Sequence, residues 1–180
     1  MTTILVDQKR FPIGKFEKPT KISQNQLKEW VKDISLFPTR LKNEVQHLSE
    51  EQLDTVYRDD GWTIRQVVHH CADSHMNSLI RFKLTLTEDK PTIKPYWEDR
   101  WAELADSKMS ILPSLLMLEG IHERWIVLLN FLSEKDYSKS FIHPEHGKEF
   151  RMDENIGVYA WHYNHHLAHI TELKKRKNWK

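Results

Sequence analysis

Cysteine is almost missing from this chain, since Cys71 is the only one among 180 residues. A single thiol excludes an intrachain disulfide, a cysteine-rich zinc site and a CxxC redox pair. Cys71 stands amid Val67, Val68, Ala72 and Met76. We therefore interpret it as a small buried hydrophobic residue, in preference to a nucleophile.

Long apolar runs are also missing. The sequence has no stretch of about 18 apolar residues that could cross a membrane, and its N-terminal region lacks the apolar core of a signal peptide. We therefore expect a cytoplasmic protein with no membrane partner. Glycine is scarce, with 5 in the chain, and so few turn-forming residues favour a helical protein.

Neither sign of charge is in excess. Lys and Arg number 27 against 26 Asp and Glu, so no basic field predicts a nucleic-acid partner. With 39% hydrophobic and 29% charged residues, the composition is that of a globular chain, and the length fits one domain over residues 1–180. Residues 1–22, with Pro12, Pro19 and many charges, are expected to form an extended N-terminal arm.

The first half of the chain predicts two long helices. Ser23 begins a Ser-x-x-Gln capping box, followed by apolar residues at helical spacing. Pro38 is expected to kink or split this first helix. Thr63 and Gln66 form a second capping box, which begins a segment of about 24 residues without Gly or Pro.

The second half predicts two more helices and a hairpin. Ser110 is expected to cap the third helix, with Pro113 in its first turn, and Asp153 to cap the fourth. Between them, KSFIHPEHGKEFRM predicts a small β-hairpin that turns at residues 145–147. Four helices with long crossover connections indicate an all-α four-helix bundle, a fold that builds metal sites from side chains on facing helices.

The connection over residues 87–105 is long for a compact domain, and such loops are often functional. Three of its aromatic residues, Tyr96, Trp97 and Trp101, are candidates for lining a ligand pocket. The alternative of equal weight is that they simply close one end of the bundle.

The stretch WHYNHHLAHI places four histidines within eight residues of the fourth helix. His162 and His166 are spaced i, i+4, as are His165 and His169, so more than one pair shares a helix face. Zinc accepts imidazole nitrogens, and a site of three histidines leaves one coordination position open. Exposed helix faces tolerate single histidines, but four so close together favour a metal site.

The third ligand is expected on a facing helix, where VVHHCADSH offers His69, His70 and His75. Asp73 and Ser74, three and four residues after His70, are candidates to hold its imidazole in the ligating tautomer. A mid-helix Asp that faces water is an equal alternative. His69 and His75 are interpreted as partly exposed or as structural hydrogen-bonding groups. The remaining histidines have no partner at metal spacing and are interpreted as surface or structural residues: His47, His122, His143 and His146.

Two segments, YRDDGWTIRQVVHHCADSHMNSLIRFKL and HGKEFRMDENIGVYAWHYNHHLAHITEL, closely resemble the YfiT branch of the DinB-like superfamily. The resemblance extends from FPIGKFEKP to the C-terminus. It implies a four-helix bundle with one divalent metal per subunit, zinc foremost and nickel as the alternative, held by three histidines. In that family the first ligand follows a Trp by eight residues, as His70 follows Trp62, and a W-H-x-x-x-H motif provides the other two, as His162 and His166.

The same resemblance leaves His69, His165 and His169 outside the coordination of the metal. We expect His165 and His169 to lie beside the ligands or to be exposed to solvent. Homodimers are common in this branch, so the resemblance also implies a homodimer.

The resemblance further implies an enzyme. Members are described as metal-dependent hydrolases or as S-transferases that conjugate bacillithiol to electrophiles. We expect foremost a transferase acting on bacillithiol or a similar low-molecular-weight thiol and a small electrophile. A metal-dependent hydrolase is the first alternative, and a non-catalytic metal-binding stress protein is the second.

The neighbouring residues bear on this choice. A bound metal lowers the pKa of a thiol or of water. A zinc hydrolase usually also has a positioned carboxylate, but Tyr163 follows His162 and no Glu lies between the helix ligands, although Asp73 or a loop acid could serve. Because bacillithiol carries carboxylates, cations near the site should favour it. The candidates, each with a surface role as its alternative, are Arg65, Arg81 and Arg100.

Overall fold

The computed structural model describes residues 8–145 and 147–179 of the chain. His146 and residues 1–7 of the predicted arm lie outside this range. The elements in chain order are α1 (Gln24–Val45), α2 (Glu50–Leu53), α3 (Ile64–Thr87), α4 (Glu98–Trp101), a 3-10 turn (Ala105–Lys108), α5 (Leu112–Asn130), α6 (Glu134–Tyr137), β1 (Ser140–His143), β2 (Lys148–Arg151) and α7 (Met152–Lys177).

The four long helices form the predicted bundle. α1 packs against α5 and α7, and α3 packs against the same two helices. α1 and α3 therefore lie on opposite sides, and the connections over residues 46–63 and 131–151 cross over the bundle. Among the described residues, no helix is both long and apolar enough to cross a membrane.

Ser23 caps the start of α1, where its Oγ accepts a hydrogen bond from the Gln26 N–H at 3.2 Å. The other half of the predicted capping box is not formed, because the Gln26 side chain donates to the Glu29 carboxylate at 3.3 Å instead. The prediction that Pro38 splits the segment is wrong, because the helix continues through Pro38 to Val45. A proline inside a helix leaves the carbonyl four residues earlier, that of Ile34, without its usual donor. His122 Nδ1 lies 2.7 Å from this carbonyl and donates to it, so a side chain from α5 replaces the missing hydrogen bond.

The predicted capping box of α3 is present. The Gln66 N–H donates to Thr63 Oγ1 at 3.1 Å, and the Thr63 N–H donates to Gln66 Oε1 at 3.0 Å. Because this box fixes where α3 begins, it also fixes which of its histidines face α7.

The starts of α5 and α7 differ from prediction. α5 carries Pro113 in its first turn as expected, but its N-cap is Ile111, and Ser110 Oγ only accepts a 3.4 Å hydrogen bond from the Leu112 N–H. Asp153 does not cap α7, because β2 runs directly into the helix and Met152 is already helical. The Asp153 carboxylate instead binds the Arg151 guanidinium at 2.7 Å.

The predicted hairpin lies between α6 and α7. β1 and β2 are antiparallel, with Phe141 opposite Phe150. The Ile142 N–H donates to the Pro91 carbonyl at 2.9 Å, and the Ile93 N–H donates to the Ile142 carbonyl at 3.0 Å. These bonds attach the long connection after α3 to the hairpin and so hold its aromatic residues near the bundle.

The described part of the N-terminal arm lies against α7. Trp161 Nε1 donates to the Gly14 carbonyl at 3.1 Å, and Phe16 contacts both Trp161 and Trp30. The arm therefore covers the outer side of the helix that carries the four clustered histidines.

Candidate metal centre

Three histidine nitrogens converge between α3 and α7. His162 Nε2 lies 3.3 Å from His70 Nε2 and 3.1 Å from His166 Nε2. The ligand atoms of these three residues all lie within 4.8 Å of one another. They are the three residues that the sequence resemblance selected, so the fold brings the predicted ligands together.

The spacing of two histidines on one helix and the packing of two helices together produce this convergence. One turn of α7 places His162 and His166 on the same helix face, since residues four apart are neighbours there. The packing of α3 against α7 then brings His70 to the same point. Four-helix bundles commonly build metal sites in this way, from side chains on facing helices.

The spacing fits a metal ion. A tetrahedral zinc ion with Zn–N bonds of 2.0–2.1 Å separates its ligand atoms by about 3.3 Å. The observed separations of 3.1 and 3.3 Å match this geometry. Among the described residues, no carboxylate or thiol joins the three imidazoles. The donor set is therefore three nitrogens, which leaves a position open in a four-coordinate ion.

The electrostatics of the site favour neutral rings. Burial, followed by the charge of the neighbouring histidines, holds the pKa of His162 and His166 well below the usual value, and burial lowers the pKa of His70 to about 4. Metal ligation requires the unprotonated imidazole, so no proton has to be displaced at neutral pH. A divalent cation would also compensate the three buried lone pairs that face one another.

Trp62 covers part of this cluster. Its ring centroid lies 4.7 Å from that of His70, and the ring stacks on His166 at 6.5 Å with an interplanar angle of 15°. Trp62 is partly buried against the hydrophobic core. In the fold it also lines an adjacent cavity, and so it lies between that cavity and the three histidines.

The cavity beside Trp62 has a volume of about 660 Å³ and a polar lining. Tyr96 and Trp97 line it, which corresponds to one of the two alternatives for these residues, whereas Trp101 packs on the Tyr96 ring at 4.6 Å. Arg81 and Arg100 also line it, and the Arg100 guanidinium lies 3.3 Å from the centre of the Trp97 ring. Aromatic surface, two cations and three carboxylates, those of Glu98, Asp99 and Glu145, therefore line the space next to the cluster.

Arg65 does not belong to this cavity. Its guanidinium binds the Asp54 carboxylate at 2.6 Å and also the carboxylate of Glu50. The alternative that Arg65 helps to bind substrate is wrong, because its charge is used in an ion-pair network between α2 and α3.

Asp73 and Ser74 are not hydrogen-bonded to His70, so neither holds its tautomer in this structure. The Asp73 carbonyl accepts from Asn77 Nδ2, and the Ser74 carbonyl accepts from the Tyr159 hydroxyl. Burial, followed by the charge of Asp106, raises the pKa of Asp73 to about 6.

His165 and His169 are buried beside His166, so of the two positions expected for them only exposure to solvent is wrong. His165 stacks on Trp161 with centroids 4.6 Å apart, and His169 stacks on Tyr57 at 4.0 Å. His169 Nε2 donates to the Arg10 carbonyl at 3.1 Å. Both rings lie beside His166, but they bind the N-terminal arm and do not join the three converging nitrogens.

The other α3 histidines are structural. His69 bonds to Ser114 Oγ at 2.7 Å and to the Met109 carbonyl at 3.2 Å, as the sequence suggested. His75 Nδ1 lies 2.8 Å from His122 Nε2. The sequence does not predict this pairing, because nothing near either residue in the chain indicates that α3 and α5 bring them together.

Comparisons with known proteins agree with this fold. The DinB superfamily model matches residues 34–170. A Bacillus cereus (strain 03BB102) protein, provisionally named a metal-dependent hydrolase, is 53% identical over 170 residues, covering 94% of this chain and 98% of that protein. A protein with the same provisional name from Bacillus thuringiensis subsp. konkukian (strain 97-27) matches equally.

Two solved structures are similar in fold. YfiT from Bacillus subtilis, described as a probable metal-dependent hydrolase with an unusual four-helix bundle topology, matches with a TM-score of 0.94 and 45% identity, covering 96% of this chain and 99% of that one. A mycothiol-dependent maleylpyruvate isomerase matches with a TM-score of 0.58 and 15% identity, covering 77% of this chain and 60% of that one. The second likeness is one of fold alone.

Proposed function

The chain belongs to the DinB superfamily, and from that premise we propose that it is a metal-dependent S-transferase. It would conjugate bacillithiol, or a similar low-molecular-weight thiol, to small electrophiles. The observation that carries this proposal is the convergence of three neutral imidazoles, with no carboxylate among them in the described residues. The adjacent cavity is polar, and its lining includes two arginines as well as three acidic residues.

His70, His162 and His166 would hold the metal, for which we propose zinc, with nickel as the alternative. A divalent ion bound there lowers the pKa of a thiol or water in its open position. The protein contributes the neutral rings, whose lone pairs are available without proton loss. Trp62 covers two of the rings and limits the access of bulk water.

Arg81 and Arg100 would bind the carboxylates of the thiol cosubstrate. Hydrogen bonds between guanidinium and carboxylate groups are strong and orient the ligand through two parallel N–H donors. The Arg81 Nε–H is buried and has no hydrogen-bond partner among the described residues, so it can donate to a ligand oxygen without losing an existing bond. Tyr96 and Trp97 offer aromatic surface to the rest of the molecule.

The reaction is a substitution at carbon. A bond forms between the thiol sulfur and the electrophilic carbon, and the bond between that carbon and its leaving group breaks. The leaving group departs with the electron pair, and the thiol proton passes to solvent. Cys71 takes no part, because it is fully buried and burial raises the pKa of its thiol.

A metal-dependent hydrolase is the second candidate. The provisional names of the relatives favour it, and so does Asp73, whose raised pKa of about 6 suits a general base. It ranks second because Asp73 forms no hydrogen bond with His70 and does not join the three converging nitrogens. For both candidates we propose a cytoplasmic homodimer, whose assembly sedimentation velocity would test.

The experiment that separates these functions compares two reactions of the zinc-loaded protein. One contains bacillithiol and monochlorobimane, and the other contains p-nitrophenyl acetate without any thiol. The proposal predicts conjugation that is lost on metal removal and in His70→Ala, with no ester hydrolysis above that of the metal-free protein. Metal-dependent ester hydrolysis alone would establish the hydrolase, and metal binding without either reaction would leave a non-catalytic metal-binding protein.

A further inference from the structure

We infer that His75 and His122 form a buried hydrogen-bonded pair that positions the proposed metal ligand His162. In this arrangement His75 Nε2 accepts the proton carried by His162 Nδ1. The inference rests on the proposed metal site but not on which reaction that site performs.

The pair is anchored at Pro38. Because this residue has no N–H, the Ile34 carbonyl is free to accept the His122 Nδ1–H at 2.7 Å. A carbonyl only accepts, so this contact places the proton of the neutral His122 ring on Nδ1 and leaves its Nε2 as an acceptor. The proline in α1 therefore fixes the tautomer of a histidine in α5.

The tautomer of His122 determines the tautomer of His75. His122 Nε2 lies 2.8 Å from His75 Nδ1, so His75 must be the donor and must carry its proton on Nδ1. Its Nε2 then bears a lone pair. This atom is buried and has no hydrogen-bond partner among the described residues, and the His75 side chain is fully buried. A buried acceptor without a donor raises the free energy of the folded state, so such atoms in native proteins almost always have a hydrogen-bond partner.

The complementary donor belongs to His162. When its Nε2 takes part in the three-nitrogen cluster, the proton of the neutral ring is on Nδ1. That Nδ1 atom is also buried and has no partner in the part of the chain that the structure describes. The His75 and His162 rings are neighbours, with centroids 6.0 Å apart and an interplanar angle of 64°.

The rings of His75 and His162 lie farther apart than those of the bonded pair. The bonded rings of His75 and His122 have centroids 5.0 Å apart, compared with 6.0 Å for His75 and His162. We infer that a rotation of the His75 ring on metal binding connects the second pair. Phe37 and Tyr163 pack on the His75 ring at 5.1 and 4.1 Å and keep bulk solvent away from it.

Two hydroxyl groups are the competing donors for His75 Nε2. Those of Tyr163 and Ser78 are both buried and have no partner among the described residues. If either hydroxyl served His75, the pair would not hold His162, and His75→Leu would leave zinc binding unchanged. Tyr163→Phe removes only a hydroxyl beside the His75 ring and is the control for this comparison.

The inferred role is one of positioning. A hydrogen bond to the non-ligating nitrogen fixes the orientation of a metal-bound imidazole and makes it a stronger base, and its loss typically weakens metal binding by about 10–100-fold. His75→Leu should therefore weaken zinc binding by about this factor, as measured by competition with a chromophoric chelator. His75→Gln, which keeps an acceptor, should recover part of the loss, and Tyr163→Phe should bind zinc like the wild type.

His122→Leu tests the connection without touching His162. It removes the acceptor that holds the His75 tautomer, so it should also weaken zinc binding, although by less than His75→Leu. The thermal unfolding of the metal-free variants is recorded beside each zinc titration. Lower stability with unchanged zinc affinity in both variants would mean that the pair is structural only and would overturn the inference.

A second measurement uses the unmodified protein, in case the variants do not fold. Long-range ¹H–¹⁵N correlation spectra of the zinc-loaded wild type report which nitrogen of each ring carries the proton. We expect protons on Nδ1 of His122, His75 and His162. A proton on Nε2 of His75 would contradict the inference. Failure of thiol conjugation with these protons and affinities intact would overturn the proposed function alone.

Discussion

His70 Nε2 on α3 lies 3.3 Å from His162 Nε2 on α7, although 92 residues separate them in sequence. Side chains that approach so closely from two helices are held by the packing of the whole bundle. The geometry of the three nitrogens is therefore fixed before any ion binds. Such preorganisation favours a site that retains its metal through a reaction.

The metal-free protein should become less stable as the pH falls from about 6.5 to about 4. Burial lowers the pKa of His70 and His165 to about 4, whereas an unfolded histidine titrates near 6.5. Within this window the unfolded chain binds more protons than the folded one, so the free energy of unfolding decreases with decreasing pH. Asp73, with its raised pKa, acts in the opposite direction but is one group against several.

Urea unfolding of the metal-free protein at pH 7.5, 6.0 and 4.5 measures this effect. The expected result is a midpoint that decreases at each step. The control is His47→Ala, which removes an exposed histidine and should leave the change of the midpoint with pH as it is in the wild type. A midpoint that does not depend on pH would show that the buried rings are protonated at little cost in the folded protein.

Cys71→Ala should retain full conjugation activity, because the cosubstrate provides the reacting sulfur. The side chain of Cys71 is fully buried in the core, and burial raises the pKa of its thiol. In the native protein it should also resist iodoacetamide until the chain unfolds. If Cys71→Ala lost turnover while still binding zinc and unfolding at a similar temperature, a protein thiol would have to be part of the reaction.

Arg81→Gln and Arg100→Gln should each raise the KM for bacillithiol, with a smaller effect on kcat. Hydrogen bonds to a charged group contribute about 1.5–3 kcal/mol, which corresponds to about 10–100-fold in KM. The matched control is Arg124→Gln, on an exposed position of α5 outside the cavity. An unchanged KM in both cavity variants would mean that the thiol binds elsewhere.

Two glycines in long helices should respond oppositely to alanine. A Cβ at Gly157 would lie 2.7 Å from the Trp30 ring, so Gly157→Ala should destabilise the protein by about 1–3 kcal/mol through overpacking between α1 and α7. Gly120 has no atom within 4 Å of the corresponding point. Gly120→Ala should therefore stabilise by about 0.5–1 kcal/mol, since it removes backbone entropy from a helix interior.

Chemical denaturation of the two variants beside the wild type makes this comparison. Because both variants replace glycine with alanine, the difference between their free energies of unfolding reflects the space beside each glycine. If Gly157→Ala were as stable as Gly120→Ala, α1 and α7 would pack less closely than described.

The ligand pair on α7 could be predicted because it is local. The spacing of His162 and His166 places both on one helix face, whichever way the rest of the chain folds. Spacing alone did not exclude His165 and His169, which are also i, i+4. The family resemblance favoured the first pair, and in the fold the second pair binds the N-terminal arm, a contact with a segment more than 150 residues earlier in the chain.

The features that could not be predicted depend on tertiary packing. From the sequence, Pro38 is expected to interrupt the helix because it has no N–H, yet His122 from α5 replaces the lost hydrogen bond. Asp153 reads as a helix cap, but the strand before it already leads into the helix. From the sequence, Arg65 is a candidate cation for ligand binding, whereas in the fold two carboxylates near α2 neutralise its charge. In each case the deciding partner is remote from the residue in sequence or lies in another element.

The zinc content of four histidine variants tests the central claim most directly. After dialysis against a weak chelator, atomic emission should find one zinc per chain in the wild type and in His165→Ala. His70→Ala, His162→Ala and His166→Ala should each fall well below one, because two imidazoles hold the ion poorly. Retention of zinc by His70→Ala, or its equal loss from His165→Ala, would contradict a centre built from these three residues.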